Sequence, residues 1–440
     1  MMRLPLLLLS FFFCFSSLLA QQTTLINNVE IFNGKDQKTF KANVLIIDNS
    51  INKISKNPIA TDKSGNTQII DGNGKFLMPG LIDAHYHTMF ASLPQMVLLT
   101  SDIGFVNLAA AKNAENLLMN GYTSVRDLGG PVFGLKKAID KGVSKGPRIW
   151  PSGAFISQTG GHGDFRLPNE IPADPSRGLS YAERINAAAI ADNPDAVRVK
   201  TREQLMQGAS QIKLMAGGGV SSVYDPLDVT QYTLPEIKAA VEAAENWGTY
   251  VTVHAYTPRA IQQAINAGVK CIDHGQLIDE ETVKLMADNN VFWSLQPFID
   301  EGNTGNLSPE SRAKQLEMYS GTDKAFALSK KYKMKIAYGS DVLFNAKKAA
   351  EPNAQLLKMK RWFNNFEILK MATADNADLL AMSGKRSPYT GKIGVIEEGA
   401  LADILIVDGN PLKDLELLNN AEENLVLIMK NGKIFKNKLK

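Results

Sequence analysis

LIDAHYHT, residues 81–88, closes an apolar run with two histidines one residue apart. Side chains alternate along a strand, so residues i and i+2 leave it on the same side. A strand ending in His85-x-His87 therefore aims two imidazoles at one point without a special turn. The chain has only five histidines, and two others end strand-like runs in the same way: His254 in VTVHAY (251–256) and His274 in CIDHG (271–275). Lys213 lies in the apolar run QIKLMAGGG (211–219), and Asp341 ends IAYGSD (336–341).

Outward from that stretch, eight strand-like runs alternate with helical ones: FLMPGLIDAH, YTSVRDLG, PRIWPSG, QIKLMAGG, TYVTVHAY, KCIDHG, VFWSLQPF and KIAYGSD. LAAAKNAENLLMN, LPEIKAAVEAAENW, PRAIQQAINAG and DEETVKLMADN carry the helical period between them. The pattern predicts an α/β protein with a (β/α)8 TIM barrel over residues 76–385. A doubly wound sheet is the alternative. The barrel is preferred because the unusual residues fall at strand C-terminal ends, which in a barrel meet at one mouth. The flanks are strand-rich. TLINNVEIFNG, KANVLIIDN and NTQIIDGNG lie in 21–75, and GALADILIVDG and NLVLIMKNGKIF in 386–440. They predict one small β-sandwich domain made by both ends of the chain.

Of the 440 residues, 44% are hydrophobic and 21% charged, a globular balance. With 48 basic and 45 acidic residues the net charge is +3, which gives no reason to expect a nucleic acid partner. Residues 1–20, MMRLPLLLLSFFFCFSSLLA, have one Arg, an apolar run and small residues before Gln21. This is the layout of a signal peptide. The apolar core is short for a span, so export to a periplasm or the medium is expected, without stable membrane insertion afterwards. Removing that segment takes Cys14 and leaves Cys271 alone, so no internal disulfide forms; its apolar setting predicts a buried, inert thiol. HExxH, GxSxG and a dinucleotide fingerprint are absent.

Each polar residue has a plain reading. A lone strand-end histidine is usually a hydrogen-bonded core residue, Lys213 alone a snorkelling lysine, and Asp341 alone a helix cap. Together these readings do not explain why nearly all the histidines gather at strand ends with a lysine and an aspartate. Four imidazoles and a carboxylate suit Zn²⁺ or a similar divalent ion.

His-x-His, Lys, His, His, Asp in this order, with PGLIDAHYHT near the start and GKIGVIEEGALADILIVD (391–408) near the end, resembles the metal-dependent amidohydrolase superfamily. The resemblance implies two divalent metals, zinc by default. It implies that Lys213, carboxylated by CO₂, bridges them. His85, His87 and Asp341 would hold the first metal, and His254 and His274 the second. Such a pair of metals acidifies a shared water, and Asp341 would carry its proton to the leaving nitrogen. TSVRDLGG (123–130), SQTGGHGDF (157–165), KLMAGGGVSS (213–222) and VHAYTPRAI (253–261) are similar to the Xaa-Pro dipeptidase and imidazolonepropionase-like branch, which includes ochratoxin-type amidases. On that resemblance His162 would bind the substrate's α-carboxylate and Tyr224 would donate to the developing oxyanion. Tyr232 is a nearby alternative to Tyr224. Arg126 reads as structural, paired with Asp127 or another carboxylate.

The implied activity is hydrolysis of an amide or peptide bond in small carboxylate-ended substrates: dipeptides, N-acyl amino acids or ochratoxin-like amides. The alternatives are the same site acting on cyclic amides or lactones, and a non-catalytic exported metal-binding protein. Residues 165–200 break the strand–helix rhythm and read as a lid or as a surface insertion. A homo-oligomer is left open.

Overall fold

The computed structural model describes residues 22–62, 67–173, 176, 178–302 and 307–439. The segment expected to be a signal peptide, 1–20, lies outside the described residues. In chain order the first strands are β1 (Thr23–Ile31), β2 (Phe40–Ile47), β3 (Ser50–Ser55), β4 (Thr67–Asp71) and β5 (Phe76–Pro79). The middle of the chain holds β6 (Leu81–Tyr86), β7 (Tyr122–Asp127), β8 (Arg148–Pro151), β9 (Phe155–Ser157) and β10 (Ala188–Ile190). It continues with β11 (Ile212–Met215), β12 (Val251–Ala255), β13 (Cys271–His274), β14 (Phe292–Ser294) and β15 (Ile336–Ala337). The last strands are β16 (Ile404–Val407), β17 (Leu425–Lys430) and β18 (Lys433–Asn437).

Both ends of the chain share one sheet. Its order is β18-β17-β16-β5-β1-β2-β3, with β4 parallel to β1. The halves meet where β5 runs antiparallel to β16, Leu77 opposite Ile406. Alternation divides the side chains between two cores. Leu77, Ile404 and Ile406 pack with Ile26 and Val44, whereas Phe76, Met78, Leu405 and Val407 join the large central core. Burial on both faces explains why FLMP and ILIV read as unbroken apolar runs.

The run FLMPGLIDAH is two strands rather than the one expected. Phe76–Pro79 belongs to the terminal sheet, and Leu81–Tyr86 pairs with β7. Gly80 is the joint. A Cβ there would stand 2.1 Å from Thr123 Oγ1, so a side chain would push β7 away. Periodicity hid the break because both strands are buried.

The middle strands form two parallel sheets, β6-β7-β8 and β10-β9-β11-β12-β13-β14-β15. Hydrogen bonds cross both gaps between them. Ala84 N donates to Tyr338 O at 2.9 Å, and Ser210 N to Pro151 O at 2.7 Å. Helices Ile103–Met119, Leu234–Asn246, Pro258–Asn266 and Glu280–Asp288 lie between strands where their period placed them. Asp102 and Asp279 cap the first and last of these through Gly104 N and Thr282 N, both at 2.8 Å. Two short strands were not expected. β9 follows β8 closely and pairs with β11, and β10 pairs with β9. Part of the 165–200 segment is therefore a sheet edge. Among the described residues no helix is long and apolar enough to cross a membrane.

Candidate metal centre

Strand ends deliver the site. His85 is the fifth residue of β6, Lys213 the second of β11, His254 the fourth of β12 and His274 the last of β13; His87 and Asp341 follow β6 and β15. Asp341 is the meeting point. Its Oδ1 lies 3.3 Å from His85 Nε2 and 3.1 Å from His87 Nε2, and its Oδ2 lies 3.9 Å from His274 Nδ1. One ligand atom from each of His85, His274 and Asp341 falls within 4.8 Å of the others. The rings form a continuous series: His87 to His85, 5.3 Å between centroids; His85 to His274, 4.8 Å; His274 to His254, 4.4 Å; His254 to His162, 4.0 Å.

Backbone contacts bring Asp341 to His85. Asp341 N donates to His85 O at 2.8 Å. Asp83 Oδ1 accepts from His85 N at 3.0 Å and from Ser340 N at 3.1 Å, joining the two strand ends. Gly339 lets them approach: a Cβ there would be 2.3 Å from His85 Cβ. His274 and Asp341 hold φ of +79° and +49°, backbone that non-glycine residues adopt only where the surroundings impose it.

The donor set fits a divalent cation. His274 Nδ1 is buried with no hydrogen-bond partner among the described residues, an arrangement that costs about 1–3 kcal/mol. A cation beside it would supply the missing partner. His254 Nε2 lies 3.0 Å from Gly218 O, which leaves Nδ1 as its free nitrogen. Burial holds His87, His254 and His274 below the usual imidazole range and so favours the neutral form that ligates. Burial works against His85 too, but Asp341 and Asp273 outweigh it and raise that ring. Burial opposes ionisation of Asp341, yet His85 and His87 hold its carboxyl well below the usual carboxylate range.

Sequence reasoning missed Asp273. It is fully buried and organises the floor of the site. Its Oδ2 accepts from Lys213 Nζ and Thr252 Oγ1, both at 2.7 Å; its Oδ1 accepts from Arg126 Nη2 at 2.6 Å and lies 3.4 Å from His85 Nδ1. Arg126 pairs with a carboxylate, and that carboxylate is Asp273. It also donates from Nε to Ala84 O at 2.6 Å and from Nη1 to Tyr250 Oη at 3.2 Å. Cys271 is buried beside it, with its thiol pushed up by burial. Burial lowers Lys213 despite the pull of Asp273. The one legible signal for Asp273 was an acid inside an otherwise apolar strand.

His162, expected to meet a substrate carboxylate, stacks on His254 at the end of the imidazole series. Its Nδ1 lies 2.6 Å from Ser222 Oγ and 3.4 Å from Asp225 Oδ2. Lys314 Nζ fastens the same loop through the carbonyls of Gly219, Ser222 and Asp225 at 3.2, 3.0 and 2.6 Å. Tyr224 is placed differently: it is 36% exposed and its hydroxyl donates to Arg166 O at 2.9 Å. Tyr232 is buried, with its hydroxyl unpartnered among the described residues. The tyrosine against the imidazoles is Tyr256, whose ring lies 4.9 Å from His254 and 5.2 Å from His274. VHAY contained it, but nothing in that string marks it out from other strand-end aromatics.

Residues 76–435, which carry every one of these side chains, match the Amidohydrolase family model. The chain belongs to the amidohydrolase family. Ochratoxinase of Aspergillus niger is 33% identical over 379 residues, covering 82% of this chain and 75% of that enzyme. A crystal structure of a prolidase complexed with N-methylphosphonate-L-proline superposes with a TM-score of 0.85 at 32% identity, covering 95% of this chain and all of that one. A Xaa-Pro dipeptidase structure with bound methionine has a TM-score of 0.80 at 27% identity, covering 94% and 100%. As a member of this amidohydrolase family with an ochratoxinase relative, the protein is a hydrolase of amide bonds.

Proposed function

We propose that the protein is an exported, binuclear metal-dependent amidohydrolase that cleaves an amide or peptide bond of small carboxylate-ended substrates. Xaa-Pro dipeptides, N-acyl amino acids and ochratoxin-like amides are the classes to test. The observation that carries the reading is the convergence of His85, His87 and His274 on Asp341 beside a buried lysine. Strands β6–β8 and β11–β15 are read as the eight strands of one barrel, with β9 and β10 beside them, and the terminal sheet as a sandwich folded on itself.

His85, His87 and Asp341 would hold one metal, and His254 and His274 the other. Divalent ions in such a site acidify water and polarise a carbonyl oxygen. Lys213 would bridge them as a carbamate: neutral Nζ bonds the carbon of CO₂ and releases one proton, leaving an anion with two oxygens. The Asp273 ion pair, 2.7 Å from Nζ, must open for this. Asp341 would take the proton of the attacking water at Oδ2, the oxygen farther from the His85 and His87 rings, and pass it to the leaving nitrogen. His162, held at Nδ1 by Ser222, would offer Nε2 to the substrate carboxylate. The part proposed for Tyr224, donation to the oxyanion, requires its hydroxyl to leave Arg166.

The test is hydrolysis by residues 21–440 supplied with zinc and bicarbonate. The panel holds dipeptides and N-acyl amino acids, each as free acid and as amide. Cleavage of the acids with weak or no cleavage of the amides supports the reading. Equal rates on both remove the case for His162. No cleavage with two metals bound per chain redirects the search to lactones and cyclic amides.

A further inference from the structure

A cavity of about 500 Å³ lies between the terminal sheet and the middle strands. It opens at the start of β8, the end of the strands away from the metal centre. Arg148 and Lys145 line one side, and Lys430 and Lys433 of the β17–β18 hairpin line the other. The one lining carboxylate, Asp140, is already held by Lys136 Nζ at 2.5 Å and Tyr389 Oη at 2.7 Å. Lys145 pairs with Glu115 at 3.0 Å. Arg148 Nη2 donates to Asn431 Oδ1 at 2.9 Å and lies 3.2 Å from Asp403 Oδ1, but its Nε is buried with no partner among the described residues. Lys430 Nζ has only a neutral acceptor, Gly146 O at 2.6 Å, and Lys433 Nζ faces the Phe435 ring at 5.6 Å. Neither lysine forms an ion pair among the described residues. Burial and the neighbouring Arg148 push the Lys430 ammonium down to about 8, although Asp403 and Asp140 pull it the other way.

We propose that this cavity is a second ligand site, built for a small multivalent oxyanion held by Arg148, Lys430 and Lys433. Charge-assisted hydrogen bonds from a guanidinium and two ammoniums suit phosphate or paired carboxylates alike. The donors come from β8 on one side and β17–β18 on the other, so an occupant would fasten the terminal sheet to the middle strands.

The test uses the metal-loaded protein, residues 21–440, titrated with inorganic phosphate and separately with succinate. Sodium chloride at matched ionic strength is the control, and calorimetry and thermal unfolding are the readouts. At least one anion should bind and raise the unfolding midpoint. Lys433→Glu, an exposed change away from the metal centre, should weaken that binding about tenfold and leave hydrolysis unchanged. Binding of phosphate alone, or of succinate alone, identifies the oxyanion class. The proposal is overturned if neither anion binds, if the chloride control reproduces the shift, or if Lys433→Glu binds as the parent does.

Discussion

Arg126 touches no proposed ligand, yet it joins three of the strands that carry them. Its Nε holds the carbonyl before His85, and Nη2 holds Asp273, which in turn holds Lys213. Replacing it with Met would leave Asp273 buried with a single cation, at a cost of about 3–5 kcal/mol. Urea denaturation of Arg126→Met reads that loss, and metal content should fall with it; Arg126→Lys should not restore either, because an ammonium cannot span the three acceptors. A stable, metal-replete Met variant would contradict this account. Lys213→Ala should nearly abolish hydrolysis and leave fewer than two metals per chain, and full activity with a single metal would sink the carbamate proposal. The imidazoles and Asp341 were legible because strand ends recur as strings. Asp273 was not, since its partners arrive from β7, β11 and β12, and no spacing in the sequence encodes that meeting.

Individual elements were legible wherever burial alternates or a helix shows its period. The joint at Gly80 was not, because both strands beside it are buried in one apolar run, and neither were the three-residue β9 and β10. Gly80→Ala should destabilise the protein by about 1–3 kcal/mol through the clash with Thr123. Thr123→Ala in the same chain should recover much of that, as thermal unfolding would reveal; no rescue would mean that the backbone, not the contact, is at fault. Strand β17 carries a second test. Lys430 drops from 10.5 to about 8 on folding. Between those values the unfolded chain binds more protons, so this residue's contribution to stability rises with pH from about 8 to 10.5. Denaturation at pH 7.5 and 10 should show that rise in the parent and a smaller one in Lys430→Met.

At the scale of the whole molecule, ligands from β6, β11, β12, β13 and the turn after β15 share one site, so a cation there holds together residues distant along the chain. Stripping metal with a chelator should abolish hydrolysis and lower the unfolding midpoint by several degrees, and restoring zinc should reverse both. An unchanged midpoint would mean that the site is preformed without metal. The α/β class followed from the sequence. The pairing of β5 with β16 followed only as an expectation, because residues so far apart carry no mutual signal.

That pairing reaches beyond stability. β5 has no antiparallel neighbour until Ile404–Val407 arrives, and Lys35 finds Glu397 across 362 residues. Loops that long close slowly. During synthesis the strands near the start must therefore wait, with an apolar edge unsatisfied, until nearly the whole polypeptide has been made. Chaperone dependence and low refolding yield from denaturant should concentrate at this seam rather than at the active centre.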